Sequence, residues 1–246
     1  MPDLRGSESV EVRDIFSRVG AVILGAGDSE RMGADKILLP LGGKPLLAWS
    51  VDVCQNCEML NQIIIVLNEN NLDSGRKLVA ERHWSKVEGV CVGGRKRRES
   101  VSRGLKELTG CDWVVIHDGA RPFLTPNLIQ DGLETAQETM AATAAVPVKD
   151  TIKLGDEDGV IRETLPRQWL WAVQTPQIFH FDIISKAHEQ IKDEVTDDAS
   201  LVERLGYKVK LYMGSYDNIK VTTPEDLALA EIIVRNRQVN ASRNWL

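Results

Sequence analysis

The chain has 246 residues, of which 30 are Lys or Arg, 36 are Asp or Glu and 43% are hydrophobic, as in ordinary globular proteins. Its formal net charge of −6 argues against a dedicated nucleic-acid binder. No apolar run approaches the roughly 20 residues that a membrane-spanning helix needs. No apolar segment of a secretory signal follows Arg5. We therefore expect a cytoplasmic protein without nucleic-acid or membrane partners.

Short apolar runs alternate with helical patterns along the chain. Residues 1–18 are polar, and we expect a leader followed by a single domain over 19–246. Buried strands are predicted at residues 19–24, 62–67 and 112–116, and further strands at 87–92 and 141–148. Helices are predicted at 45–59, 72–83 and 100–108, and Thr125-Pro126 and Thr223-Pro224 are typical helix starts. This alternation predicts an α/β fold, a Rossmann-like open, mostly parallel twisted sheet with helices on both faces.

Residues 149–173 interrupt the alternation. A polar turn at 155–159 between short apolar segments predicts a β-hairpin, either an arm protruding from the domain or an edge ribbon. Trp169 and Trp171 fall on one side of a possible strand over 165–173. Exposed aromatics there would indicate a partner surface. The alternative, that both tryptophans pack on the parent sheet, stays open.

The cysteines and histidines give little support for a metal site. Cys54 and Cys57 have the CxxC spacing, but no second CxxC and no nearby pair of histidines accompany them. We expect them to be buried, hydrophobe-like side chains. None of the four histidines has metal-ligand spacing.

The first glycine loop is the sharpest local signal. A buried strand runs into Gly25 and Gly27, and glycines let backbone amides approach an anion. The sequence does not match the P-loop motif. It does not match the dinucleotide-binding motif GxGxxG either, because Glu30 stands at the position of the third glycine. The pattern therefore indicates an anion-binding loop with basic residues beside it, namely Arg31, Lys36 and Lys44.

Three further segments carry candidate chemistry. Asp118 follows a buried strand, so it belongs at the same sheet edge, either with Mg²⁺ and phosphate oxygens or as a turn cap paired with Arg121. Gly93-Gly94 leads into a helix that Ser100 is predicted to cap, while Lys96 and Arg98 are expected on a solvated loop. Lys220 is either a surface lysine or a phosphate ligand. This inventory favours phosphoryl or nucleotidyl transfer.

Taken together, the segments resemble the 2-C-methyl-D-erythritol 4-phosphate cytidylyltransferase family of the non-mevalonate isoprenoid pathway. The matching motifs occur in family order over about residues 19–235: AVILGAG at 21–27, RMG at 31–33, Lys36 with GKPLL at 43–47, Gly93-Gly94 with Arg97 and Ser100, HDGARP at 117–122, VPVKDT at 146–151, QTPQ at 174–177, TDDAS at 196–200 and DNIKVT at 217–222. Each motif alone is weak, but the ordered set is specific. The loop before Lys36 is shorter than in the family, and Arg95 stands where an acidic residue is usual.

The resemblance implies that CTP and methylerythritol 4-phosphate react to give the cytidine diphosphate alcohol and pyrophosphate. It assigns Arg31, Lys36 and Lys220 to the phosphates and implies Mg²⁺ held through Asp118, helped by Asp217. The CTP site would be lined by Ala26, Gly27, Gly94, Arg97, Ser100 and Ala120.

The second substrate involves the hairpin arm. The resemblance assigns the sugar phosphate to Arg121, Thr151 and Arg167, the last two donated by the 149–173 arm across a homodimer. The nearest alternative is a cytidylyltransferase that uses ribitol 5-phosphate, and a non-catalytic nucleotide-binding module is the alternative from a different class.

Overall fold

A computed structural model describes residues 18–27, 36–193 and 195–243. The expected leader, up to residue 17, and Arg31 with its neighbours at 28–35 lie outside the described residues. Seven strands form the central sheet: β1 Val19–Gly25, β4 Gln62–Leu67, β5 Val87–Val92, β6 Trp113–Asp118, β7 Ala141–Pro147, β10 Trp171–His180 and β11 Lys210–Met213. Two small antiparallel pairs accompany it: β2 Pro40–Leu41 with β3 Lys44–Pro45, and β8 Lys153–Gly155 with β9 Ile161–Thr164.

The strand order in the large sheet is β11-β7-β10-β6-β1-β4-β5. Strand β10 runs antiparallel to both of its neighbours, and the other pairs are parallel. The prediction of a mostly parallel α/β sheet is therefore confirmed. The predicted strands at 62–67 and 87–92 match the observed bounds.

Helices cover both faces of the sheet, because the central strands are apolar on both sides. In β1, Ile23 packs into one core cluster and Val22 into the other. The first cluster takes residues from α1 Leu46–Asn56, α2 Leu72–Arg82, α4 Pro126–Thr139 and α7 Pro224–Arg243. The second takes residues from α3 Arg97–Glu107, α5 Phe181–Gln190 and α6 Asp198–Arg204. Burial on both faces explains why these strands read as continuous apolar runs.

Two of the three predicted helix caps are confirmed. Thr125 Oγ1 accepts a hydrogen bond from the backbone N–H of Leu128, and Thr223 Oγ1 accepts one from Asp226. The prediction that Ser100 caps its helix is wrong, because α3 starts three residues earlier with Lys96 at the cap position. Ser100 is buried in the first turn, where its Oγ accepts a hydrogen bond from Gly94 N at 3.1 Å.

The predicted hairpin is present as β8 and β9, which pair with each other and lie outside the large sheet. The predicted strand over 165–173 is wrong in its first half, because Arg167–Trp169 form a 3₁₀ turn before β10 begins at Trp171. The two tryptophans therefore differ: Trp169 is 75% exposed, whereas Trp171 is half-buried and pairs with Pro147 of β7.

Cys54 and Cys57 are both buried at the end of α1, as expected for hydrophobe-like residues. Burial raises the pKa of both thiols above the ordinary value. Within the described ranges, none of the helices combines the length and apolar character needed to traverse a bilayer.

Candidate active site

Backbone hydrogen bonds bring the loops after several strands to one edge of the sheet. Gly119 N, just after β6, donates to Leu24 O of β1 at 2.8 Å. Gly93 N, just after β5, donates to Leu67 O of β4 at 2.7 Å. Val221 N donates to Ala120 O at 2.8 Å, which places the segment before α7 beside the β6 loop. The carboxyl ends of parallel strands thus form one continuous surface, where α/β proteins generally bind ligands.

A cavity opens at this edge, and we call it the edge cavity. Its lining includes most of the residues that the sequence singled out, namely Ala26, Gly27, Lys36, Gly94, Arg97, Ser100, Asp118, Ala120 and Lys220. It is also lined by Gly25 of the predicted anion-binding loop, and by Arg95 and Lys96, for which no binding role was predicted. The two glycine loops touch here, because a Cβ at Gly93 would overlap the Cβ of Ala26 and lie 2.7 Å from Ser100 Oγ.

Asp118 is the acidic residue among those lining the edge cavity, and it lies among three cations. Its Oδ2 is 2.7 Å from Lys220 Nζ and 3.9 Å from Arg121 Nε, and its Oδ1 is 3.4 Å from Arg97 Nε. Burial alone would raise the pKa of this carboxyl, but the charges of Arg97 and Lys220 outweigh burial and hold the pKa well below its ordinary value. Asp118 is therefore ionised. The interpretation of Asp118 as only a turn cap for Arg121 is incomplete, since Lys220 is its nearest partner.

Buried groups behind Asp118 fix the backbone of that strand end. Thr175 Oγ1 accepts a hydrogen bond from Asp118 N at 3.0 Å and lies 3.1 Å from His117 Nδ1. His117 Nε2 lies 3.1 Å from Arg121 O. Burial lowers the pKa of His117 to about 4, so the ring is neutral at pH 7. The Thr175 hydroxyl then donates to Nδ1, and Nε2–H donates to the Arg121 carbonyl.

Arg97 has a second carboxylate partner, Asp198, for which no site role was predicted. Its Nη1 lies 2.5 Å from Oδ2 of Asp198, which is 1% exposed. His188 Nε2 lies 3.1 Å from the other carboxylate oxygen of Asp198. Burial alone would raise the pKa of Asp198, but Arg97 and the bond from His188 lower it on balance. The TDDAS motif at 196–200 was the available signal for Asp198, whereas no sequence pattern points to His188.

Several predicted site residues lie elsewhere. Lys44 does not line the edge cavity, because its Nζ pairs with Asp52 at 2.6 Å and lies over the Trp49 ring. Asp217 is absent from the lining too: its carboxylate is 61% exposed and lies 3.9 Å from Arg237.

The four consecutive cations at 95–98 do not all lie on a solvated loop. Lys96 is exposed and lines the edge cavity. Arg98 is half-buried, and its Nη2 donates to His188 O at 2.8 Å, so the expectation of a solvated side chain is wrong for Arg98. A carbonyl on the neighbouring helix α5 supplied a partner that local sequence could not show.

A second cavity, which we call the flanking cavity, lies beside the first. Both cavities are lined by Arg97, Asp118 and Lys220, and the flanking cavity adds Arg121 and Thr175. The arm residues Thr151 and Arg167 line neither cavity of their own chain. Both are exposed, and Arg167 Nη1 donates to Lys149 O at the foot of the arm.

The donor set fits one kind of Mg²⁺ site. Within the described residues, no group of three or more His, Cys, Asp and Glu side chains could enclose a metal ion. A single carboxylate, such as Asp118 in the edge cavity, suits an ion held mainly by substrate phosphates, which is how Mg²⁺ is usually bound with nucleotides. Asp217 does not share this position, because its carboxylate faces Arg237.

Comparison with known proteins identifies the family. The family model described as IspD: 2-C-methyl-D-erythritol 4-phosphate cytidylyltransferase matches residues 19–236, which is most of the chain. The chain belongs to this cytidylyltransferase family. The resemblance drawn from the ordered motifs is thereby confirmed.

Curated relatives carry the same name. A 2-C-methyl-D-erythritol 4-phosphate cytidylyltransferase of Dehalococcoides mccartyi is 50% identical over 219 residues, covering 89% of this chain and 96% of that protein. Another, from Halalkalibacterium halodurans, is 46% identical over 222 residues, covering 88% of this chain and 97% of that protein. Both matches cover nearly the full length of the relatives.

Solved structures agree with the fold. The 4-diphosphocytidyl-2C-methyl-D-erythritol synthase of Anaerococcus prevotii superposes with a TM-score of 0.81 at 30% identity, covering 89% of this chain and 96% of that one. The 2-C-methyl-D-erythritol 4-phosphate cytidylyltransferase of Thermus thermophilus gives a TM-score of 0.71 at 32% identity, covering 87% and 98%.

Proposed function

We propose that this chain joins CTP and 2-C-methyl-D-erythritol 4-phosphate to give 4-diphosphocytidyl-2-C-methyl-D-erythritol and pyrophosphate in isoprenoid precursor synthesis. One observation carries the proposal: residues from five of the ordered family motifs, far apart in sequence, line one cavity at the carboxyl edge of the sheet, namely those that contain Gly27, Lys36, Ser100, Asp118 and Lys220. The names of the relatives favour this reaction over the ribitol 5-phosphate alternative.

The chemical step is an in-line displacement. An oxygen of the methylerythritol phosphate attacks the α-phosphorus of CTP, a new P–O bond forms, and the bond from the α-phosphorus to the bridging oxygen breaks. Pyrophosphate leaves with the electron pair of that bond. Negative charge grows on the α-phosphate oxygens and on the leaving group, so placed cations lower the barrier.

We assign two of these cations from the edge cavity: Lys36 would stabilise the α-phosphate, and Lys220 would contact phosphate from the segment before α7. Arg31, which lies outside the described residues, is assigned to the α-phosphate by the family resemblance alone. Ala26, Gly27, Gly94, Ser100 and Ala120 would line the cytosine and ribose, with Arg97 at the phosphate side. Mg²⁺ bound with the triphosphate would neutralise part of its charge, and Asp118 is the residue placed to hold it. The role of Asp217 stays a prediction.

The second substrate would occupy the flanking cavity, where Arg121 offers a cation beside Asp118. We propose that Thr151 and Arg167 reach this cavity from the arm of a second copy, so the enzyme acts as a homodimer. Supporting this, the arm carries large exposed apolar side chains, among them Trp169 at 75% and Ile161 at 60% exposure. Large apolar side chains that are exposed together on one segment are typical of protein–protein interaction surfaces.

Pyrophosphate release with Mg²⁺ and CTP tests the reaction. Release with methylerythritol 4-phosphate, but not with ribitol 5-phosphate, is expected, and ATP, GTP and UTP should substitute poorly. Excess EDTA should abolish activity. Release with ribitol 5-phosphate would change the second substrate, and no release with any pair would favour a non-catalytic nucleotide-binding module. Sedimentation of the full chain tests the dimer, and imaging of a tagged copy tests the proposed cytoplasmic location.

A further inference from the structure

We propose that Asp198 is a positioning residue for this reaction: it holds the Arg97 guanidinium between two carboxylates at the junction of the edge and flanking cavities. The proposal rests on the proposed cytidylyltransferase function. Asp198 lines neither cavity, so it would act through Arg97 and not by touching substrate.

The Arg97 guanidinium is shared unequally between its two partners. Its Nη1 is 2.5 Å from Asp198 Oδ2, and its Nε is 3.4 Å from Asp118 Oδ1. Asp198 therefore provides the tighter ion pair. Since charge-assisted bonds at such distances are the strong ones, Asp198 sets the direction of the Arg97 side chain.

Asp198 is itself fixed from several sides. His188 Nε2 lies 3.1 Å from its Oδ1, and its backbone N–H donates to Gln177 Oε1 at 3.1 Å. The same Gln177 oxygen accepts from Ala199 N at 3.2 Å, and Gln177 Nε2 donates to Thr143 Oγ1 at 3.0 Å. The backbone of Asp198, at the start of α6, is thus held by a fully buried glutamine of β10, and its carboxylate is held by His188. Because Asp198 is fixed in this way, the Arg97 guanidinium that is bound to its carboxylate is also held in one orientation.

This arrangement leaves one donor of Arg97 for substrate. Within the described part of the chain, Arg97 Nη2 is buried and has no hydrogen-bond partner. A buried donor without a partner costs free energy, and a phosphate or hydroxyl oxygen entering either cavity would remove that cost. Arg97 lines both cavities, so a small adjustment of either substrate site could bring an oxygen to this shielded nitrogen.

Asp198 also neutralises part of the Arg97 charge, so Arg97 attracts Asp118 less strongly. Asp118 already faces Lys220 at 2.7 Å and Arg121 at 3.9 Å. Without the charge of Asp198, Arg97 would compete more strongly for Asp118 and draw it from Lys220 and from a phosphate-bound cation. We therefore expect loss of Asp198 to impair both CTP binding and turnover.

The test uses the full-length enzyme with Asp198→Asn, which keeps the size of the side chain and removes its charge. At a temperature where circular dichroism shows the variant folded, we expect kcat to fall at least tenfold and KM for CTP to rise at least threefold. Asp198→Glu should recover part of the activity. Asp193→Asn is the matched control, because Asp193 is an exposed carboxylate 2.6 Å from Arg204 in the segment before α6.

Calorimetric CTP binding supplies a readout independent of turnover. Weaker CTP binding by Asp198→Asn than by wild type supports the positioning role of Asp198. This holds even if no second substrate reacts with CTP, a result that would contradict only the proposed cytidylyltransferase reaction. The proposal is overturned if folded Asp198→Asn has the same kcat, KM and CTP affinity as wild type, even if its melting temperature is changed.

Removing the charge of the buried Asp198 could prevent folding, so a variant of its neighbour His188 provides a second test. His188→Ala removes one support of Asp198 and should lower kcat at least threefold, whereas His188→Gln, which keeps a donor, should restore it. Unchanged kcat in folded His188→Ala would contradict the proposal.

Discussion

Lys220 Nζ lies 2.7 Å from Asp118 Oδ2, and this ion pair joins the segment before α7 to the carboxyl end of β6. The lysine side chain is 39% exposed and the carboxylate 9%. The Lys220 ammonium group is therefore held by the fixed Asp118 carboxylate and is still open to solvent, where it can also bind a phosphate oxygen. The pair therefore orients Lys220 in advance of binding.

Lys220→Ala should lower kcat/KM for CTP by about a hundredfold, because one well-placed charge contact in such a site contributes roughly 3 kcal/mol. Lys220→Arg should retain more activity, since it keeps the charge. Steady-state pyrophosphate release measures both. Lys210→Ala is the control, because Lys210 pairs with Glu138 at the protein surface, and an equal loss there would show that the effect is not local.

Arg167→Ala should raise KM for methylerythritol 4-phosphate at least tenfold and leave KM for CTP nearly unchanged. The reason is that Arg167 is exposed on the arm and lines neither cavity of its own chain, so it would serve the second substrate of a partner copy. Varying each substrate separately in the kinetic assay checks the split.

A second arm cation provides the comparison for Arg167. Arg162→Ala removes an exposed guanidinium 3.7 Å from Asp156 in the same hairpin, and its kinetics should match wild type. A selective rise in KM for CTP in Arg167→Ala would refute the proposed role of the arm.

His117 makes the free energy of unfolding depend on pH. Its pKa is lowered by burial to about 4, against an ordinary value of 6.5. Between these two values the unfolded chain takes up a proton that the folded protein does not, so stability falls as the pH is lowered through this window. A shift of this size corresponds to about 3 kcal/mol between neutral pH and pH 4.

Urea denaturation at pH 7 and pH 4.5 measures the effect. His117→Asn lacks the titrating ring, so its free energy of unfolding should fall less between the two pH values than that of wild type. His83→Asn replaces an exposed histidine and should keep the wild-type dependence. Parallel pH profiles of wild type and His117→Asn would contradict the prediction.

Gly93→Ala should weaken CTP binding at least tenfold, because the added methyl group would overlap Ala26 and crowd Ser100 in the edge cavity. Fluorescence or calorimetric titration with CTP measures the change. Gly155→Ala is the control, since its Cβ would meet only the Val160 carbonyl at 3.8 Å. Unchanged CTP affinity in Gly93→Ala would remove this contact from the proposed site.

The strands and the location of the site could be predicted because they follow from local pattern. Residues 62–67 read as a strand since both faces are buried, and Asp118 could be assigned to the sheet edge because parallel strands end on the same side. The start of α3 could not be placed, because Lys96 makes no side-chain cap hydrogen bond and gives no cap signal.

The internal partners of the site could not be predicted. Arg97 and Asp198 are separated by 101 positions, and no periodicity links a residue on α3 to one on α6. Asp217 and Lys44 are both near site motifs in sequence, yet their side chains pair with Arg237 and Asp52 and do not line the edge cavity. Side-chain direction in loops depends on tertiary contacts that a single sequence does not reveal.

The hairpin β8–β9 pairs only with itself among the described strands, while β7 and β10 stay paired up to Pro147 and Trp171. The arm is therefore attached to the sheet without being part of its core. Its tip can change in length or sequence during evolution at little cost to folding, whereas its base cannot. A chimaera that exchanges only the residues between Pro147 and Trp171 for those of another family member would show whether this segment determines the proposed subunit pairing.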